Sequence, residues 1–271
     1  IRRVELEQQF TKEEILRFVP ARMRKTLERR ARELAGKRVI HLNATARGGG
    51  VAEILRSLVP YSNAFGIPTE WWVIKEEAGN RFFVITDKIR DGLQGREVKI
   101  ELEEWTHHAS VNKEISEELK ELSCDILVVH DWQPAYAGSY LESDIQKIFI
   151  NHADTSHAYR FVADPISQAM KAYQVLVFSN KEFVYPRFKD KLQVKIIPPA
   201  IDPLVKKQRI IPTEIAREKL AAFGVPKDGP LLVQVSRFDR WKNPMGVVEA
   251  FVQVQKEHRD AKLALVGIQE T

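Results

Sequence analysis

Apolar positions in this chain form two patterns, short continuous runs and longer spaced ones, and the two alternate. Between Lys12 and Lys37, Arg, Glu and Leu recur at helical spacing, interrupted at Pro20 and closed by Gly36, which predicts one or two surface helices. "KRVIHLNAT" (Lys37–Thr45) has the run of a buried strand, and Val51, Ile54, Leu55, Leu58 and Val59 mark one face of a helix from Val51 to Phe65. "TEWWVI" (Thr69–Ile74) supplies the next strand, so strand, glycine turn, helix and strand make a βαβ unit. The alternation continues through a helical run Val111–Leu122, strand "DILVVH" (Asp125–His130), a helix from Pro134 and strand "KIFIN" (Lys147–Asn151). It then passes through helical Ser156–Tyr173, strand "QVLVFS" (Gln174–Ser179), a helix near Lys181 and strand "VKIIP" (Val194–Pro198). Short, nearly all-apolar strands separated by helices predict a parallel sheet covered on both faces.

The pattern breaks at "PPAIDPLVKKQRIIPTE" (Pro198–Glu214), which holds four prolines and no clear period and so reads as an interdomain connection. The expected organisation is a first α/β lobe over residues 1–204 and a second beginning at 205–271. The second opens with strand "LLVQVS" (Leu231–Ser236), then a polar turn, a helix capped by Asn243 with Pro244 at its first position, and strand "KLALVG" (Lys262–Gly267). Two strands cannot bury both faces of a sheet, so this lobe is expected to be truncated or only partly present.

Composition narrows the functions. With 44% hydrophobic residues in 271, the chain can build a substantial core. A single cysteine, Cys124, excludes an intrachain disulfide and a cysteine-based zinc site and fits a reducing, cytoplasmic setting. No apolar run approaches the roughly 20 residues that span a bilayer, and "IRRVELEQQF" lacks a signal-peptide core, so no membrane partner is expected. The net charge of +5 is spread among interleaved acids and bases, which favours an anionic small molecule over nucleic acid. The charged helix Glu13–Leu34 offers a surface for a homodimer, although a solvated face is the more ordinary account.

Candidate chemistry sits at strand ends. In "HLNATARGGGVAE" (His41–Glu53), Gly48, Gly49 and Gly50 separate the first parallel strand from its helix; their N–H groups and the helix's positive end suit anionic oxygen. A dinucleotide fingerprint would place its third glycine at Glu53, and no Lys-Ser/Thr pair follows as a P-loop requires; a merely tight turn is the plain alternative. "VVHDWQPA" (Val128–Ala135) places His130, Asp131 and Gln133 past another strand, with a loop-structural role for His130 and a helix N-cap role for Asp131 as alternatives. "INHADTSH" (Ile150–His157) does the same for His152 and Asp154, with His157 expected on the next helix and His107 and His108 at the surface. "SRFDRWKNP" (Ser236–Pro244) presents Arg237 and Lys242, a fork and a point charge for an anion; with the glycine turn they describe a phosphate clamp between two lobes. No metal-ligand spacing and no Ser or Cys nucleophile arrangement is present.

These segments, together with "DGLQG" (Asp91–Gly95) and "IIPPAIDPL" (Ile196–Leu204), resemble the retaining glycosyltransferases of the GT-B type, with two Rossmann-like lobes. Among these they are most similar to the trehalose synthases that join a nucleotide-activated glucose to glucose. The resemblance implies a donor diphosphate near Gly49 and Gly50, neutralised by Arg237 and Lys242. It places His152 beside the transferred sugar and makes Asp131 and Asp154 candidates for sugar hydroxyls. UDP-glucose or ADP-glucose, glucose and trehalose would be the small-molecule partners, with no cofactor and no essential metal. Asn243 stands where relatives often carry Gly, and Trp132 where close relatives can have Pro. The family's later E-G-F-G-like stretch is absent, so a chain ending at Thr271 is expected to be inactive. A trehalose phosphorylase, a sucrose-type or glycogen-type glucosyltransferase, and a non-catalytic sugar-binding or nucleotide-binding lobe share these motifs.

Overall fold

A computed structural model describes residues 1–6, 8–75, 79–141, 144–189, 191 and 193–267. The chain divides into two compact units, Ile1–Gln208 and a second from Arg209 onward. The first unit is built on a seven-stranded sheet, in the order β1 (Arg2–Arg3), β3 (Thr69–Val73), β2 (Val39–Asn43), β4 (Ile126–His130), β5 (Gln146–Asn151), β6 (Val175–Phe178), β7 (Val194–Ile196). All neighbours pair in parallel except β1, which runs antiparallel to β3 and has no counterpart in the hydrophobic pattern.

Period-two alternation assigns each face. Leu42, Val129, Phe149 and Leu176 point into a core filled by α4 (Gly79–Leu93), α5 (Leu102–Lys120) and α6 (Arg160–Ala169). On the opposite face Trp71 and Val73 pack against Ala52, Leu55 and Val59 of α3 (Gly49–Ala64). Each such fully buried large side chain contributes about 1.5–3 kcal/mol. Gly92, in the "DGLQG" segment, lets α4 lie against α6, because a Cβ there would sit 2.5 Å from Val162 Cγ2.

The leading helices form as α1 (Lys12–Leu16) and α2 (Ala21–Glu33), separated at Pro20 as expected. Elsewhere the helices depart from the sequence pattern. Helix α4 has no counterpart in the sequence pattern, since Phe83 joins Phe82 at the core and Val84 lies exposed, which blurs the apolar stripe. Helix α5 starts at Leu102 rather than Val111, because Glu101 and Glu104 close a capping box ahead of the apolar stripe. The helix expected from Pro134 is replaced by turns and one 3-10 turn, Ala137–Ser139. There tertiary partners take the backbone groups a helix would need: Tyr173 Oη donates to Ala135 O, Gly138 N donates to Tyr173 Oη, and Ala137 N donates to Asn112 Oδ1. The helix near Lys181 is likewise a 3-10 turn, Lys181–Phe183.

In the second unit β8 (Leu231–Val235) and β9 (Lys262–Val266) pair in parallel, and α7 (Thr213–Ala221) and α8 (Pro244–Glu257) bury no residue. Asn243 caps α8 as expected, in the left-handed conformation at φ 46°, with Oδ1 accepting from Gly246 N and Pro244 following.

Candidate active site

Strand β2 lies between β3, its successor in the chain, and β4, so the topology reverses between β2 and β4. In open α/β sheets this switch point is where ligands bind, outside the carboxyl ends of the strands. Three loops leave that edge from neighbouring strands: residues 44–48 after β2, 131–136 after β4 and 152–159 after β5.

The first loop is tied down from within. Asn43 Nδ2 donates to Thr45 O at 2.9 Å, Thr45 Oγ1 to Arg47 O at 3.0 Å, and Arg56 to Ala46 O at 2.9 Å. Gly48 and Gly49 then turn the chain into α3 at φ 72° and 77°, a region closed to most side chains, and the helix begins at Gly49 with no acidic residue in its first turn. Gly50 has no such φ, and a Cβ at any of the three positions would meet no protein atom within 4 Å. Conformation therefore explains glycine at 48 and 49, while Gly50 borders open space at a helix N-terminus, where N–H groups lack internal partners.

The second and third loops meet through histidines. His41 Nδ1 lies 2.9 Å from His130 Nε2, and His130 Nδ1 lies 2.9 Å from His152 Nε2, with the last two rings stacked at 5.2 Å between centroids. His41 and His130 project from β2 and β4 and are 6% and 1% exposed, whereas His152 is only half-buried. Burial pulls His41 down to about 4 and His130 well below the ordinary histidine range. Asp131, strained at φ 60°, turns its carboxylate back under the third loop, where Oδ1 accepts from His152 N at 2.7 Å. Burial raises the Asp131 pKa, opposed by neighbouring His152 and by the N–H groups of His152 and Ala153. No helix follows Asp131, so it acts as a loop staple and not as a helix cap.

The other expected residues are placed as follows. Gln133 is half-buried, and its carbonyl accepts from His108 Nε2 at 3.1 Å and Asn112 Nδ2 at 3.0 Å, which anchors the second loop to α5. His108 is therefore no surface residue: it is fully buried and stacks on Phe82 at 5.5 Å. Trp132 is buried and donates from Nε1 to Thr86 O. Asp154 is exposed and accepts from Ser156 N and Oγ at 2.9 and 2.6 Å, closing a local turn. His157 is exposed on the turn before α6, not on a helix.

His41 falls outside the candidate residues of the sequence, although a histidine and an asparagine two apart in the otherwise apolar run "VIHLN" signal a polar edge to one sheet face.

Within the second unit, Arg237 pairs with Asp239 at 3.0 Å, while the other Asp239 oxygen accepts from Trp241 N and Lys242 N. Lys242 is exposed on this turn. Among the described residues no group of three or more His, Cys, Asp or Glu is placed to hold a metal ion, and no helix is long and apolar enough to cross a membrane.

The chain is 35% identical over 246 residues to a trehalose synthase of Rubrobacter xylanophilus and 36% identical over 244 residues to one of Pyrococcus horikoshii. Each alignment covers 89% of this chain and 58% of the relative, so the chain spans less than two thirds of those proteins. Among solved structures, the trehalose-6-phosphate synthase OtsA superposes with a TM-score of 0.62 at 15% identity, covering 86% of this chain and 65% of that one. A UDP-forming trehalose-phosphate synthase from Burkholderia xenovorans gives 0.63 at 15% identity, over 85% and 64%. At that identity the likeness speaks for the fold, and the fold is GT-B. The family model described as trehalose synthase, N-terminal domain, matches residues 41–185, a stretch that opens at His41 and contains all three loops. Strand ends, glycine turn and histidine loops thus fall inside one matched domain, and the chain belongs to the trehalose synthase N-terminal domain family.

Proposed function

We propose that the protein transfers a glucosyl group from a nucleotide-activated donor to glucose, forming trehalose reversibly and with retention at the anomeric carbon. The observation that carries this reading is the convergence, at the switch point of the sheet, of a glycine turn opening a helix with the His152–Asp131 loop pair. The helix N-terminus and the open space above Gly50 suit the diphosphate of UDP-glucose or ADP-glucose. The half-buried His152 ring suits a sugar hydroxyl.

In this reading the acceptor hydroxyl attacks on the face from which the nucleotide departs, and the leaving phosphate oxygen takes its proton. No carboxylate nucleophile is needed, unlike the paired-carboxylate glycosidases. The electrostatic task is to stabilise the departing diphosphate; in the first unit the α3 N–H groups suit that task, and in the second Arg237 and Lys242 are cations suited to an anion, each within its own unit; removing one such donor is expected to cost roughly 10²- to 10³-fold. Asp131 holds the His152 loop, and Asp154, on the exposed turn, is assigned to sugar hydroxyls. Turnover is expected to survive EDTA, since no cofactor enters the reading.

The test uses the full-length protein with UDP-glucose or ADP-glucose and carbon-13-labelled glucose, following the anomeric NMR signals. Nucleotide-sugar-dependent α,α-linked disaccharide supports the proposal. Cleavage of trehalose that requires inorganic phosphate and no nucleotide would replace it with a phosphorylase.

A further inference from the structure

Two of the three linked histidines have no role in the chemistry above. His41 is buried under the sheet edge, and both ring nitrogens of His130 face other histidines, so neither offers a ring to a sugar. Their arrangement nevertheless constrains the ring that does. A neutral imidazole carries one N–H donor and one bare acceptor nitrogen. Each 2.9 Å contact between ring nitrogens therefore needs a proton on one side only. If His130 carries its proton on Nε2, His41 Nδ1 must be bare and His152 must donate from Nε2. If His130 is protonated on Nδ1, both neighbours must reverse. The rings thus share two collective states, one with all three protonated on Nε2 and one with all three on Nδ1.

We propose that His41 and His130 are positioning residues that fix the tautomer of His152, holding its proton on Nε2 so that Nδ1 faces the site as a hydrogen-bond acceptor. The direction follows from intrinsic chemistry, because the Nε2–H form is the more stable tautomer of an unperturbed histidine side chain and this state gives it to all three rings. Neutrality of the two inner rings is secured by burial, which holds both far below the ordinary histidine range. The acceptor at Nδ1 is what a donor or acceptor sugar hydroxyl requires, so the proposal rests on the transferase reading for its use but not for its existence.

The test is a long-range nitrogen-15 to proton NMR spectrum of this chain at pH 7.5, which distinguishes protonated from bare ring nitrogens. The wild type is expected to show His41, His130 and His152 all as Nε2–H. In His41→Leu the inner acceptor is lost, and the His152 signals should move toward a mixture of tautomers; in His41→Gln the amide oxygen again accepts from His130 Nε2, and they should return. Unchanged His152 signals in His41→Leu, or a wild type with His152 as Nδ1–H or with mixed tautomers, would overturn the proposal; the wild-type spectrum decides even if the leucine variant fails to fold. In the full-length enzyme, His41→Leu is expected to lower kcat about ten-fold or more with little change in donor KM, and His41→Gln to restore most of it. NMR shifts as expected without trehalose formation by any variant would leave the tautomer lock standing and remove the transferase reading instead.

Discussion

Gly50→Ala separates what the fold requires from what a ligand requires. At Gly48 and Gly49 the positive φ values make any L side chain costly, by about 1–2 kcal/mol for alanine at Gly49. Gly50 lies in the first turn of α3 without a positive φ, and an added Cβ would meet nothing within 4 Å. Glycine is a poor helix residue, so alanine there is expected to stabilise the first unit by about 0.5–1 kcal/mol, mainly by restricting the unfolded chain. For a unit of this size a gain near 1 kcal/mol corresponds to a Tm rise of about 2–4 °C. If the diphosphate approaches that backbone, the same methyl group displaces it by about an ångström, and turnover is expected to fall on the order of 100-fold. Thermal unfolding and nucleotide-sugar turnover of wild type, Gly49→Ala and Gly50→Ala measure both effects. A destabilised Gly50→Ala protein would show that the glycine serves the fold. A stable and fully active one would show that nothing occupies the space above Gly50, and the diphosphate assignment would fall with it.

Four further outcomes follow from particular contacts. Gly138→Ala is expected to destabilise the first unit by about 1–3 kcal/mol, since its Cβ would lie 2.4 Å from Tyr173 Cζ in a buried contact; urea unfolding measures this. At Asn243, alanine loses the cap and keeps an unfavourable left-handed φ, about 2 kcal/mol together, whereas glycine should cost only a few tenths; unfolding of the second unit separates the two variants. His41 and His108, each held near 4 by burial, take up protons on unfolding once the pH drops below about 6.5. Stability is therefore complete above that value and should decline by about 1 kcal/mol per pH unit for each as pH falls toward 4; urea titrations at pH 7, 6 and 5 would contradict this if they coincided. Arg237→Ala and Lys242→Ala should each leave Tm nearly unchanged while lowering turnover by roughly 10²- to 10³-fold, read by the disaccharide assay.

The strands were legible because a strand buried on both faces must be apolar along its length, whatever surrounds it. The runs at Val39–Asn43, Ile126–His130 and Val175–Phe178 therefore appear within a residue or two of their predicted places. The Gly48–Gly50 turn and the Asn243–Pro244 helix start were legible for a local reason, since positive φ and capping act over three or four residues. Helix extent was less so. Helix α5 is lengthened by a capping box, and the stretch after Pro134 is kept from helix by Tyr173 and Asn112, which lie far away in sequence.

The site divides along the same line. Sequence alone placed His130, Asp131 and His152 at strand ends, because the carboxyl edge of a parallel sheet follows from strand order in the chain. That His130 turns inward, that His41 joins it and that Asp131 reaches back to the His152 backbone were decided by which strands became neighbours. Pairing β2 with β4 and β4 with β5 brings residues 89 and 22 positions apart to 2.9 Å, and no local pattern encodes a contact made by sheet order.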